Sequence, residues 1–278
     1  MALPYVELND GNELPVIGFG TVSLKGNSGA LKISEAVRNG YRFIDTAYNY
    51  ENEGTVGRAI KQSGLKRSEF FVQSKLPGRY HGYEDAMEAI QESLYRADLE
   101  YFDLYIIHWP NPKEDQYVEA WRALIDAQKN GWIKSIGVSN FMPEHIDRLI
   151  SETGVKPVLN QIELHPKFNQ REMRKYHDEN NIVTMAWSPL GRLRYLKDSK
   201  VIDELAEKYS VNIGQLVLRW HYQHGVVTIP RSSNGSRQRG NLDIFNFEIS
   251  GDDMKKIDAE TVEDGRIDDQ DPREYQEF

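Results

Sequence analysis

The chain has 278 residues and a formal net charge of −9, with 34 Lys and Arg against 43 Asp and Glu. Such an acidic surface repels nucleic acid and anionic membranes, so neither is an expected partner, and an anionic ligand needs a local basic cluster. There is no cysteine, which excludes disulfides, thiolate nucleophiles, Cys-ligated zinc and iron–sulfur clusters.

Hydrophobic residues make up 39% and charged residues 28% of the chain, the balance of a globular protein with a core. No apolar run approaches the ~18 residues of a membrane span. The opening Met1-Ala2-Leu3-Pro4-Tyr5-Val6-Glu7 has neither a basic region nor a long apolar segment. No secretory signal is expected, and a cytoplasmic location is.

Tyr5–Leu8 and Leu14–Ile17 flank Asn9-Asp10-Gly11-Asn12, a hairpin turn signal. A short buried strand follows at Val16–Gly20. Its Gly18-Phe19-Gly20 invites a dinucleotide fingerprint, but G-x-G-x-x-G fails at Ser23. Apolar strand-like runs then recur at Tyr41–Asp45, Phe70–Lys75, Asp103–His108, Ile133–Val138, Val158–Ile162, Ile182–Trp187 and Val226–Ile229. Amphipathic segments alternate with them, near 29–39, 53–62, 83–97, 115–129, 143–151, 170–179, 200–209 and 213–224. Eight βα units without an interrupting linker predict an α/β fold, a single (β/α)₈ TIM barrel over 1–278 with an N-terminal β-hairpin. An acidic tail begins near residue 262. It is expected to be a solvated terminal segment, or else a flap beside a site.

Barrel chemistry sits at the C-terminal ends of the strands. The predicted strands end in Asp45, Lys75, His108 with Trp109, Ser139-Asn140, Gln161 with Glu163, Trp187-Ser188, and Arg231-Ser232. A carboxylate at the end of an apolar strand needs a partner, and Lys75 is the expected one for Asp45. A lysine near a phenol stabilises the phenolate, so Lys75 is expected to lower the pKa of Tyr50 and make it a proton donor or acceptor near neutral pH. His108 is expected to hold a substrate oxygen toward Tyr50. This set transfers a proton but holds no nucleophile, and no metal cluster is expected. A hydride-carrying cofactor is therefore implied.

Ile229-Pro230-Arg231-Ser232-Ser233-Asn234-Gly235-Ser236-Arg237 places two arginines before a short helix, the usual phosphate site of such barrels. Two arginines in an acidic protein point to a further phosphate, as on NADP. Trp187 offers a flat face for a nicotinamide ring, and Gln161 and Asn140 offer groups for its carboxamide.

The run Gly40-Tyr41-Arg42-Phe43-Ile44-Asp45-Thr46-Ala47-Tyr48-Asn49-Tyr50 resembles the aldo-keto reductases. So do Ser74-Lys75-Leu76, Ile107-His108-Trp109-Pro110, Gly137-Val138-Ser139-Asn140-Phe141, Asn160-Gln161 and Trp187-Ser188-Pro189-Leu190-Gly191. The resemblance spans about residues 5–260 and is nearest in pattern to the bacterial 2,5-diketo-D-gluconate reductase branch. It implies a barrel that reduces aldehydes, ketones or keto-sugars with NADPH, as a monomer. It makes Tyr50 the acid, with Asp45 and Lys75 tuning it and His108 orienting the carbonyl. It assigns Thr21, Val22, Ser139, Asn140, Gln161, Trp187, Ser188, Leu190, Arg231, Ser232, Arg237 and Asn241 to the cofactor. Val22, Pro77, Trp109, Asn111 and Arg192 would line the substrate pocket, Arg192 facing a substrate carboxylate.

The chain departs from the family pattern at Arg231, Ser233, Gly240 and Pro77. Two other functions use the same barrel. One is an NADPH-binding regulatory protein. The other is a glycosidase with Asp45 and Glu163 as its carboxylates.

Overall fold

The computed structural model describes residues 3–193, 196 and 198–278. Strand β1 (Tyr5–Glu7) pairs antiparallel with β2 (Glu13–Pro15). Eight parallel strands follow: β3 (Phe19–Gly20), β4 (Phe43–Asp45), β5 (Phe71–Leu76), β6 (Phe102–Ile107), β7 (Ile133–Ser139), β8 (Leu159–Glu163), β9 (Val183–Trp187) and β10 (Val227–Thr228). They pair in sequence order. A parallel bridge from Ile17 to Thr228, with Gly18 N–H donating to Thr228 O at 2.7 Å, joins the last strand to the first and closes the barrel.

The helices are α1 (Gly26–Asn39), α2 (Glu53–Gln62), α3 (Tyr83–Ala97), α4 (Tyr117–Lys129), α5 (Pro143–Thr153), α6 (Arg171–Glu179), α7 (Lys200–Lys208), α8 (Ile213–Gln223), α9 (Gly235–Leu242) and α10 (Gly251–Asp258), the last two following β10. The expected βα alternation is present. The expected helices begin and end within a few residues of the observed ones, and the sequence pattern does not predict α10.

Strand alternation sorts the side chains into two layers. On β6, Leu104 and Ile106 face the barrel interior with Phe43, Leu159, Met185, Val227 and Ile229. Tyr105 and Ile107 face the helices with Ile44, Val72, Val138 and Trp121. The hairpin adds Leu8 and Leu14 to the interior cluster. Asn12 Nδ2 reaches Ser135 Oγ at 3.0 Å near the start of β7, so the hairpin covers the N-terminal end of the barrel. The opposite end is left for chemistry. The glycines that mimic a dinucleotide fingerprint have a packing reason instead. A side chain at Gly18 would run into the Phe43 ring, and one at Gly20 would lie 2.8 Å from Ile229 O.

The acidic tail is not a solvated segment. Val262 N–H donates to Lys167 O at 3.1 Å, and Ile267 N–H to Glu163 Oε1 at 2.8 Å. The chain then crosses the C-terminal rim, where the Tyr275 ring packs 4.4 Å from Trp109 and Glu277 is buried.

Candidate active site at the C-terminal rim

Asp45, Gln73 and Lys75 meet because of register and period. Asp45 pairs with Gln73 across β4 and β5, and Gln73 and Lys75 project to one side of β5. Lys75 Nζ lies 2.6 Å from Asp45 Oδ1 and donates to Thr46 O at 2.7 Å. The same Asp45 oxygen accepts from Gln73 Nε2 at 2.8 Å and from Gln161 Nε2, across the barrel on β8, at 3.2 Å. This answers the burial of the carboxylate: one cation and two amides satisfy it. Gln73 is absent from the sequence-based set, although its spacing of two from Lys75 on a strand marks it.

Tyr50 follows β4 in a short 3₁₀ turn, Tyr48–Tyr50. Its ring sits between two groups, with Lys75 Nζ 4.9 Å from the centroid and the His108 ring at 5.9 Å, edge-on at 77°. Asp45, Tyr50, Lys75 and His108 are therefore brought together as expected. The tuning runs the other way. Burial pushes the Tyr50 phenol well above its ordinary value, and the charges of Asp45 and Glu277 push it the same way. Burial also pulls the Lys75 ammonium below the ordinary lysine value, although Asp45 opposes this. Tyr50 thus holds its proton at neutral pH, because burial outweighs the nearby ammonium.

Beside this set lies a second polar cluster. Ser139 Oγ donates to Gln161 O at 2.7 Å. Asn140 Nδ2 donates to His108 O and to Ser139 Oγ, both at 3.0 Å, and Asn140 Oδ1 accepts from Trp187 Nε1 at 2.7 Å. Both amide hydrogens of Gln161 are also engaged, on Asp45 and on Met185 Sδ at 3.0 Å. With their N–H groups so used, Asn140 and Gln161 offer a carboxamide their oxygens.

Around the mouth, Arg231 Nη1 donates to Val22 O at 2.9 Å, which ties the loop after β10 to the loop after β3. Asn234 caps α9, accepting from Arg237 N–H at 3.0 Å. Arg231 and Arg237 lie at the start of this helix, and among the described residues neither has a carboxylate within ion-pair distance. Uncompensated guanidiniums beside a helix N-terminus in a chain of net charge −9 fit a polyphosphate. Thr21 is buried, its Oγ1 donating to Asp45 O at 2.9 Å, and Asn241 lies buried at the far end of α9 beside Tyr41. Ser188 and Leu190 follow Trp187 on the loop after β9, and Ser232 is buried before α9.

Three of the expected residues are tied into other contacts. Arg192 does not face a free mouth, because its guanidinium forms a two-pronged ion pair with Asp268. Asn111 is tied to the tail: its side chain donates to Glu277 O at 2.7 Å and accepts from Glu277 N–H at 3.0 Å. Glu163 is no free carboxylate, since it meets His165 at 3.1 Å and receives Ile267 N–H. Pro77 and Trp109 are buried at the rim, and Val22 is exposed.

A second residue that the sequence-based set lacks is Glu277. Its Oε1 lies 2.7 Å from His108 Nδ1 and accepts from Asn49 Nδ2 at 2.8 Å. Its Oε2 accepts from Gly78 N–H at 3.1 Å. The carboxylate sits off the axis of the imidazole N–H, so this is a close contact rather than a linear hydrogen bond. Nothing in an acidic stretch singles out one glutamate. Among the described residues, no group of three His, Cys, Asp or Glu side chains is disposed to hold a metal.

A parallel (β/α)₈ barrel with a buried Asp–Lys pair, a tyrosine and a histidine on its C-terminal rim, and an arginine-rich loop after the last strand, is the architecture of a nicotinamide-dependent carbonyl reductase. The aldo/keto reductase family model matches residues 16–261, and the chain belongs to that family. It is 45% identical over 276 residues to the 2,5-diketo-D-gluconic acid reductase B of Corynebacterium sp. (strain SHS752001), covering 99% of both chains. It is 45% identical over 255 residues to the glyoxal reductase of Bacillus subtilis (strain 168), covering 91% of both. A crystal structure of a mutant of Gox0644 in complex with NADPH superposes with a TM-score of 0.94 at 42% identity, covering 99% of this chain and 100% of that one.

Proposed function

We propose that this chain is an NADPH-dependent reductase of small aldehydes, ketones and keto-sugars, with Tyr50 as the general acid. The observation that carries the assignment of roles is the position of the Tyr50 ring between Lys75 and His108, with its proton retained by burial. When bound, NADPH supplies the hydride to the carbonyl carbon. Arg231, Ser232, Arg237 and the start of α9 would hold its phosphates. Asn140, Gln161 and Ser139 would hold its carboxamide, and Trp187 would lie against its ring.

The chain's own residues handle the proton. His108 hydrogen-bonds the carbonyl oxygen and turns it toward Tyr50. Tyr50 gives that oxygen its proton, and the Lys75 ammonium, fixed by Asp45, faces the tyrosinate left behind. A high phenol pKa suits this direction, because the acid must be protonated before each turnover.

The deciding experiment follows NADPH absorbance with methylglyoxal, glyceraldehyde and 2,5-diketogluconate. The wild type is expected to turn over at least one of them. Tyr50→Phe is expected to lose on the order of 10³-fold in kcat while still binding NADPH by fluorescence. Retained turnover in Tyr50→Phe would remove Tyr50 from the role of acid. NADPH binding with no turnover of any carbonyl would make the chain a sensor rather than a reductase.

A further inference from the structure

We propose that Glu277 is a specificity-determining residue, which sets a fixed negative charge against His108 in the mouth of the barrel and selects neutral carbonyl compounds over those bearing a carboxylate. The inference rests on the reductase function and names its substrate class.

The carboxylate is placed by a built socket. Asn49 and Gly78 donate to its oxygens at 2.8 and 3.1 Å, and Arg79 donates to Asn49 Oδ1 at 2.5 Å from the other side. The backbone of Glu277 is clamped by both ends of the Asn111 carboxamide. Two residues earlier, Tyr275 packs on Trp109. A glycine is required beneath it: a side chain at Gly78 would collide with Asn111 and come within 2.6 Å of Glu277 O. Seven per cent exposure for a glutamate held by this many contacts describes a fixed wall.

The charge is present and points inward. Burial would raise the carboxyl pKa, but the neighbouring His108 and the hydrogen bonds from Asn49 and Gly78 outweigh it and hold the group below the ordinary carboxylate range. Its field is felt at Tyr50, Lys75 and His81. Two rim cations are not free to offset it for a substrate. Lys75 is held by Asp45, and Arg192 is held by Asp268. A substrate whose carbonyl oxygen reaches His108 must bring its remaining atoms close to Glu277, and a carboxylate on it meets like charge in a partly desolvated site.

The test uses two aldehydes of one shape, 4-formylbenzoate and its methyl ester, with NADPH as reductant. The wild type is expected to favour the neutral ester by about tenfold or more in kcat/KM, which is the size of one like-charge contact at this range. Glu277→Gln keeps the acceptor for Gly78 N–H and removes the charge. It is expected to narrow the ester-to-acid ratio about tenfold, mainly by tightening apparent binding of the acid. Raising salt from about 20 to about 500 mM should narrow the wild-type ratio in the same direction, a readout that needs no variant.

Equal use of both aldehydes by the wild type overturns the inference. So does a ratio that stays within about twofold of the wild-type value in Glu277→Gln, or a loss shared equally by both substrates. In each of these cases reduction of the ester still stands as proof of a reductase. If neither aldehyde is reduced although NADPH binds, the reductase function fails and the inference falls with it.

Discussion

Two carboxylate contacts flank Tyr50, one to a lysine and one to a histidine, nearly equal in length and unlike in construction. Asp45 and Lys75 lie 2.6 Å apart on neighbouring strands, both almost fully buried, with Thr46 O, Gln73 and Gln161 completing their shell. Glu277 and His108 lie 2.7 Å apart, and the carboxylate arrives on a segment that crosses the rim from Glu163. The first pair is part of the barrel wall, placed by a register that the whole sheet enforces. The second is laid on from outside, by clamps to a loop glycine and two asparagines. Geometry alone ranks them equally. Construction predicts that the fold depends on the first and selectivity on the second.

The sharpest way to break that contrast is to remove one partner from each. Lys75→Met leaves the Asp45 carboxylate buried with only amide donors. It is expected to destabilise the protein by about 3–5 kcal/mol and to abolish most turnover. Glu277→Gln, an isostere at the rim, is expected to change stability by less than about 1 kcal/mol. Urea unfolding at constant m-value measures both. If Glu277→Gln proved the more destabilising, the tail would be part of the folding core rather than a wall laid upon it.

Acid separates the two regions next. His81, His177 and His221 are buried neutral, because burial lowers their pKa values to about 4, about 3 and about 3. Each binds a proton more readily in the unfolded chain, so stability is lost as pH falls below about 6.5 and the loss levels off near the folded value. At about pH 5 each histidine is expected to have removed about 2 kcal/mol. Glu277 has the opposite sign of linkage. Its pKa is depressed, so its contribution is full above the ordinary carboxyl value and fades only as pH falls through the lower folded one. Urea midpoints should therefore fall between about pH 7 and pH 5 while the preference for the neutral aldehyde persists. A preference that collapsed in step with stability would mean that Glu277 is not the group that sets it.

The same contrast explains what is legible in the sequence. Strand ends can be read from apolar runs, so Asp45, Lys75 and His108 can be gathered on one rim from the sequence alone. Period two could have added Gln73, which the sequence-based set omits. The hairpin declares itself through Asn9-Asp10-Gly11-Asn12, and the arginines after β10 through their isolation in an acidic chain. The direction of the Tyr50 shift is not legible, because it depends on how deeply the phenol is buried against one ammonium, and burial depth is a tertiary quantity. Helix α10 escapes the periodic pattern because Gly251–Asp258 is short and carries only Met254 and Ile257 as buried apolar residues. Glu277 is illegible for a different reason. Its partners Asn49, Gly78, His108 and Asn111 lie far away along the chain, and no local pattern distinguishes it from Glu274 or Glu263.

The smallest expected effect tests the remaining rim cation. Arg192 is the natural candidate to receive a substrate carboxylate, and a free Arg192 would cancel the bias set by Glu277. Its pairing with Asp268 is half-exposed, so the pair contributes little to stability, about 0.5 kcal/mol or less. Because the guanidinium is already engaged on both prongs, Arg192→Ala should leave the apparent affinity for the formylbenzoate anion within about twofold of wild type and leave the ester alone. A weakening of about fivefold or more, for the acid alone, would show that Arg192 exchanges Asp268 for the substrate. The mouth would then hold one recruitable positive charge opposite one fixed negative charge. The ester-to-acid ratio would in that case measure the balance of Arg192 against Glu277 rather than Glu277 by itself. The double variant Arg192→Ala/Glu277→Gln would separate the two, since independent charges across the mouth should act additively.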